Sequence, residues 1–176
     1  ELSHLSASVG DATDLPDIAD NTFDVVLVFG PMYHLPREER IRVIQESKRI
    51  CKTNGLIMFA YINKIGAYLR GCIDENLKAN YPNKKTNELV LSQGVDDVLP
   101  DVFFFTMPEE IEHDVTTNGL TVIQNVGVDF TFNASDINAM DDEKYAAWTE
   151  VMDYMFHCNS CTGVSNHAVL VCRNLL

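Results

Sequence analysis

The chain has 176 residues, of which 46% are hydrophobic, and this is enough for one domain with a real core. A formal net charge of -13 disfavours a nucleic-acid substrate, because so acidic a surface repels phosphate backbones. Without a membrane-length apolar run or a signal-peptide pattern, and with five sparsely spaced cysteines, we expect a cytoplasmic protein with reduced thiols.

Two strand-like segments near the start of the chain each run into a turn. The first is Ser6–Val9, and the second is Phe23–Phe29, an apolar run without polar alternation after Asp24. Such a run predicts a strand buried on both faces, as in a parallel sheet covered by helices. Ligands of these sheets bind beyond the carboxyl ends of the strands. The residues expected there are Asp11, Ala12, Phe29, Gly30 and Pro31.

Later segments alternate between helical and extended patterns. Further strands are predicted at Leu56–Ile62, Leu120–Val128 and His167–Arg173. Helices are predicted from Pro36 to a left-handed Asn54-Gly55 cap, from Thr106 to Asn118-Gly119, and over Asp142–His157. The last of these carries an apolar stripe that is typical of a core-facing helix.

The segment Asn63–Phe105 does not fit this alternation, because it is long, mixed and aromatic. Two interpretations stay open: an inserted subdomain with its own small core, or a lid over a substrate pocket. We therefore expect three parts. They are the C-terminal part of a cofactor-binding half at 1–62, the insert at 63–105, and the last helices and strands at 106–176. This last part includes a helical insert at 141–160.

Four short motifs follow one another in an order and spacing that are informative together: Gly10-Asp11-Ala12, Leu15-Pro16, Phe23-Asp24-Val25-Val26 and Met32-Tyr33-His34-Leu35. Together they resemble the class I S-adenosylmethionine-dependent methyltransferases, in the small-molecule, type 11-like branch. The resemblance implies an α/β Rossmann-like sheet, mostly parallel with an antiparallel final strand. It also implies S-adenosyl-L-methionine as cofactor and methyl transfer to a small acceptor. The acidic charge and the lack of a membrane-length apolar run predict that neither nucleic acid nor membrane is a partner.

The resemblance assigns roles to residues of the first turns. Asp11 and the backbone amide of Ala12 would recognise the adenine, although an Asp in a turn also caps its own backbone. Phe29 and Gly30 would border the methionine part of the cofactor, because glycine lets a backbone approach a ligand closely.

The acceptor would lie against Tyr33, His34 and Tyr61. His34 is a candidate general base, since its ordinary pKa lies near neutrality, but a histidine at a helix start is as often structural. No metal is expected. Cys158 and Cys161 have the spacing of a zinc half-site, yet no second pair of ligands accompanies them.

One defining element of the family is not found in this sequence: a first strand that ends in a glycine-rich turn, followed by an acidic ribose ligand. The resemblance implies a truncated N-terminus, with the first two strands upstream. The family's sheet order, 3-2-1-4-5-7-6, would then leave the Phe23–Phe29 strand as an exposed edge. A homo-oligomer or a strand exchange is expected to cover this edge.

Two alternative functions stay open. The chain could be a non-catalytic folded fragment or interaction module that does not bind the cofactor alone. A nicotinamide-dependent enzyme is less favoured, because the Gly10-Asp11-Ala12 turn fits the methyltransferase pattern.

Overall fold

The computed structural model describes residues 4–97, 101–130 and 134–175. Residues 98–100 of the predicted insert, and residues 1–3 of the first predicted part, lie outside this range. Within the described range one sheet has the strands β1 Phe23–Val28, β2 Cys51–Ile62, β3 Thr121–Gly127 and β4 His167–Arg173. Their order is β1-β2-β4-β3; β1 and β2 are parallel, and β4 is antiparallel to both of its neighbours. The predicted α/β fold with an antiparallel final strand is confirmed.

Helices connect and cover these strands. They are α1 Pro31–His34, α2 Arg37–Ile50, α3 Lys64–Ile73, α4 Lys84–Asn87, α5 Pro108–Thr117, α6 Ala134–Asn138, α7 Asp142–Phe156 and α8 Asn159–Thr162. A 3-10 turn at Lys78–Asn80 and a π-helical turn at Glu88–Gln93 complete the insert. None of the helices in the described range is long and apolar enough to cross a membrane.

Two hydrophobic clusters hold the described residues together. The main one packs β2 and β4 against α2 and α5, with fully buried members such as Ile57, Leu170 and Ile44. The second belongs to the insert, where Tyr81, Val90 and Phe105 pack beneath the end of β2. The insert therefore has a small core of its own, as one of its two interpretations predicts.

The strand β1 lies at the edge of the sheet, as the resemblance implies, but the prediction that both its faces are buried is wrong. Val25 is 47% exposed and Leu27 is 58% exposed, while Val28 is buried. The physical reason is that successive residues of a strand point to opposite faces. Val26 and Val28 pack with α2 in the core, whereas no element among the described residues covers the face of Val25 and Leu27. The predicted strand Ser6–Val9 is also wrong: these residues are exposed and form no ladder.

The boundary between α2 and β2 differs from the predicted one. The helix ends at Ile50, and β2 begins at Cys51, so the expected helix cap at Asn54-Gly55 lies inside the strand. Phe23 pairs with Cys51, but Val25 pairs with Leu56, so the intervening residues of β2 form a bulge. Asn54 keeps the left-handed conformation, with φ 66°, as part of this bulge.

The apolar stripe of α7 is mostly not in the core. Met152 is 6% exposed, whereas Tyr145, on the same predicted stripe, is 50% exposed. A helical repeat of apolar residues shows that a face exists, but the neighbouring elements decide how much of it is covered.

Candidate functional site

The carboxyl ends of β1 and β2 lie side by side, and α1 begins directly after β1. Gly30 joins β1 to α1 with φ 129° and ψ -64°, a conformation that side chains rarely adopt. Its carbonyl accepts hydrogen bonds from the amides of Tyr33 at 3.1 Å and His34 at 3.2 Å. The conformation of Gly30 therefore determines where α1 presents these two side chains.

A loop precedes β1 and carries the predicted adenine ligands, and α2 holds this loop in place. The Arg49 guanidinium donates to the carbonyls of Leu15 at 2.9 Å and Ile18 at 2.7 Å. Glu46 accepts from the amide of Leu15 at 2.9 Å and is bound by Arg49 as well. This hydrogen bond from Arg49 holds the pKa of Glu46 below its usual range. The sequence analysis missed this pair, because an i, i+3 ion pair on a helix is common and carries no functional signal.

Asp11 forms the turn that the alternative interpretation predicts. Its Oδ1 accepts from the amide of Thr13 at 2.9 Å and from the Thr13 hydroxyl at 2.8 Å. These hydrogen bonds, the amide's first, lower the pKa of the Asp11 carboxyl. The Asp11 side chain is exposed, and in the described part of the chain its Oδ2 atom has no hydrogen-bond donor. Capping the turn therefore leaves one carboxylate oxygen free for a ligand.

Ala12 and Phe29 line one cavity of about 260 Å³ beside β1. Pockets that enclose a small-molecule ligand usually measure ~300–1,000 Å³, so the described residues form one wall of a site rather than a closed pocket. A Cβ placed on Gly30 would meet no atom within 4 Å, so the space above the β1 turn is open. Of the four predicted cofactor residues, Ala12 and Phe29 line this cavity, whereas Asp11 and Gly30 do not, so the residues present fit the cofactor in part. Among the described residues, no acidic side chain that could bind the ribose lines this cavity.

The structure places His34 against the insert. Its Nδ1 lies 2.8 Å from the carbonyl oxygen of Val102, and its ring lies 5.2 Å from the ring of Phe103. A carbonyl only accepts, so Nδ1 carries a proton, and Nε2 is the nitrogen that a neutral imidazole would offer as a base. The carbonyl of Tyr33 accepts from the amide of Phe104 at 2.9 Å. The insert therefore packs directly on α1, the helix that carries two of the three predicted acceptor contacts.

Tyr61 does not join this group. Its side chain is 0% exposed and lies in the main core, where its hydroxyl donates to the Asn125 side chain at 2.8 Å. Burial raises the pKa of this phenol strongly. Tyr61 therefore lies apart from Tyr33 and His34, the other two residues predicted to contact the acceptor. The reason is that its position in β2 points its side chain towards β3 rather than towards the site.

The pair Cys158 and Cys161 lies at α8, and both are free thiols. The described residues contain no group of three or more His, Cys, Asp or Glu side chains that could hold a metal ion.

Comparison with known proteins agrees with this geometry. Residues 2–59 match the family model described as a methyltransferase domain. These residues contain the loop, β1, α1, α2 and most of β2, which together build the wall described above. A search of curated proteins finds no match.

Solved structures extend the likeness to nearly the whole chain. A SAM-dependent methyltransferase from Methanosarcina mazei matches 96% of this chain and 66% of its own, with 13% identity and a TM-score of 0.55. The fold is the Rossmann-like fold of such methyltransferases. The methyltransferase in a complex with the Trm112 activator from Haloferax volcanii matches 99% of this chain and 63% of its own, with 14% identity and a TM-score of 0.55. A SAM-dependent methyltransferase from Thermotoga maritima matches 94% of this chain and 62% of its own, with 14% identity and a TM-score of 0.53.

The resemblance seen in the sequence motifs is thereby confirmed, together with the Rossmann-like fold. At 13–14% identity these structures show the fold and not the substrate. The chain spans 62–66% of the length of these methyltransferases.

Proposed function

We propose that this protein transfers a methyl group from S-adenosyl-L-methionine to a small-molecule acceptor. One observation carries the proposal. Residues that match the family model, Ala12 and Phe29, line one cavity at the carboxyl end of β1, beside the open space above Gly30. This is the edge at which open α/β sheets bind their ligands.

When bound, the cofactor supplies the electrophilic methyl group, and the chain's residues position both reactants. The Asp11 carboxylate would accept from the adenine amine, and the Ala12 amide would donate to a ring nitrogen. Phe29 and Gly30 would border the methionine part, where the absence of a side chain on Gly30 leaves room for close approach. Aligning the methyl group with its acceptor supplies most of the rate, so no protein nucleophile is required.

His34 and Tyr33 face the acceptor in this proposal. The His34 Nε2 takes the proton that the acceptor's nucleophile gives up, because Nδ1 is already bound to the Val102 carbonyl. The insert acts as a lid, supported by its contacts with α1 through Phe103 and Phe104. A lid of this kind excludes water from the reacting groups.

The exposed edge of β1 calls for a further covering element. Val25 and Leu27 are about half exposed along a strand that lacks a second neighbour among the described residues. Unpaired strand edges with apolar side chains pair readily with other chains. We propose that further polypeptide, or a second copy in a homo-oligomer, covers β1 and completes the cofactor site.

Calorimetric titration of the protein with S-adenosyl-L-methionine and with its demethylated product tests this function. We expect Asp11→Ala to raise both dissociation constants by about tenfold or more, because it removes a charged hydrogen-bond acceptor. Thr13→Ala is the matched control, since it loosens the same turn but keeps the carboxylate; it should bind nearly as the wild type does. Unchanged affinity in Asp11→Ala would remove Asp11 from the site. A wild-type protein that binds neither compound would favour the non-catalytic module instead.

A further inference from the structure

A second and larger cavity, of about 800 Å³, opens between α2, α5 and the end of the insert. Arg37 and Arg40 line it from the first turns of α2, Lys64 from the start of α3, and Glu110 from the first turn of α5. The N-terminal turns of three helices thus border the same space, and each contributes a partial positive charge there. None of the sequence motifs pointed to this cavity.

Two of its three cations already have partners. Arg37 is paired with Asp114 at 2.5 Å, and Lys64 is paired with Glu110 at 2.6 Å. Within each pair, the carboxylate neutralises the cation. Among the described residues, Arg40 is the cation of this cavity that has no ion-pair partner.

Arg40 is buried, with 9% of its surface exposed, yet its guanidinium is poorly bonded. Nη1 lies 3.5 Å from the carbonyl oxygen of Met32, at the limit of a hydrogen bond. The Nε atom is fully buried and has no hydrogen-bond partner among the described residues. Loss of water lowers the pKa of Arg40. A buried cation in this state destabilises a protein unless something completes its bonding.

The surroundings of Arg40 act on its charge in both directions. The carboxylates of Asp114 and Glu110 favour the charge, but they are already paired with Arg37 and Lys64. Arg40 lies in the first turns of α2, where the helix dipole is positive and repels a cation. Glu109 also lines the cavity, but it is exposed, so water screens its charge far more than that of a buried group. Buried polar groups without partners are rare in folded proteins, and a bound ion is one of the partners that can complete their hydrogen bonds.

We infer that this cavity binds an oxyanion group, a carboxylate or a phosphate ester, carried by a small organic molecule, and that Arg40 anchors it. The planar guanidinium matches the geometry of both groups and holds them with paired hydrogen bonds. Val95 and Phe104 line the same cavity and offer apolar contact to the rest of the molecule. That this molecule is the methyl acceptor rests on the proposed function.

Three probes distinguish the sources of the anion: phenylacetate, phenyl phosphate and inorganic sulfate. The protein is titrated with each probe by calorimetry, and sodium chloride at the same ionic strength serves as the control. We expect Arg40→Met to raise the dissociation constant of the organic probe that the wild type binds more tightly by about tenfold or more. The dissociation constant of Arg40→Lys should lie between those of the wild type and Arg40→Met. Arg173→Met is the matched control. It removes the same charge at the opposite end of the strands, where Arg173 donates to the Asn54 carbonyl, and it should change binding less than threefold. Sulfate binding more tightly than both organic probes would overturn the assignment to an organic ligand.

Stability separates this role from a structural one. Without ligand, Arg40→Met should unfold at the same urea concentration as the wild type or at a higher one, because it removes a buried charge that lacks a partner. A midpoint well below that of Arg173→Met would show that Arg40 is structural and would overturn the inference. The inference would also be overturned if Arg40→Met bound every probe with the same dissociation constant as the wild type. Anion binding through Arg40 in a protein that binds no S-adenosyl-L-methionine supports this site and overturns the proposed methyl transfer instead.

Discussion

Replacing Gly30 by alanine tests whether the turn after β1 depends on glycine. Gly30 has φ 129° and ψ -64°, and a Cβ built on it would meet no atom within 4 Å. Alanine at this position therefore clashes with nothing and pays only for its backbone conformation. Holding a side-chain-bearing residue in such a sparsely populated region costs about 1–3 kcal/mol. We expect Gly30→Ala to lower the free energy of unfolding by about this amount.

Gly163→Ala is the matched control for this substitution. Gly163 lies at the end of α8 with φ -67° and ψ -16°, and its added Cβ would make an ordinary contact at 3.9 Å with the Pro108 side chain. Alanine fits this helical conformation and restricts the unfolded chain. Gly163→Ala should therefore be neutral or raise stability by about 0.4–1 kcal/mol. The two variants make the same chemical change and differ in backbone geometry.

Urea unfolding followed by circular dichroism measures both variants, with the slope of the transition checked against the wild type. The Gly30 carbonyl also accepts from the Tyr33 and His34 amides, so strain at Gly30 should reach α1. We expect Gly30→Ala to weaken binding of S-adenosyl-L-methionine as well, because its methyl group enters the open space beside the turn. Equal unfolding free energies for the two variants, within about 0.5 kcal/mol, would refute the conformational argument.

Two further predictions concern buried bonds and pH. Asn63 is 0% exposed at the end of β2, and its Nδ2 donates to the carbonyls of Thr162 at 2.9 Å and Ser165 at 2.8 Å. Asn63→Ala leaves the Ser165 carbonyl without a donor, whereas the Thr162 carbonyl keeps the Ser165 amide at 3.2 Å. Urea unfolding should therefore show a loss of about 1–3 kcal/mol, and a loss below about 0.5 kcal/mol would contradict this prediction. The pKa of Glu46 is lowered from 4.5 by Arg49, so this group stabilises the fold above pH 4.5 and loses that contribution as the pH falls through its folded pKa. Glu46→Gln should therefore flatten the decline in stability below pH 4.5, and an identical acid limb in both proteins would contradict the assignment.

The sequence alone determined several elements closely. His167–Arg173 is a strand with the predicted bounds, and Phe23–Val28 ends one residue before the predicted end. The order of short motifs also indicated the family fold. These features are local: runs of apolar residues, turn residues and their spacing all lie within a few residues of one another.

Only the tertiary structure decided which apolar side chains are buried and which hydrogen-bond partners the charged side chains find. The composition of β1 predicts burial, but the side chains of Val25 and Leu27 are about half exposed because no element covers them in the described range. Arg40 and Arg49 both lie on α2 and have the same chemistry in the sequence. Arg49 meets the carbonyls of a distant loop, while Arg40 is buried with one weak contact. Such differences arise between segments far apart in the chain, and a pattern read along the chain does not contain them.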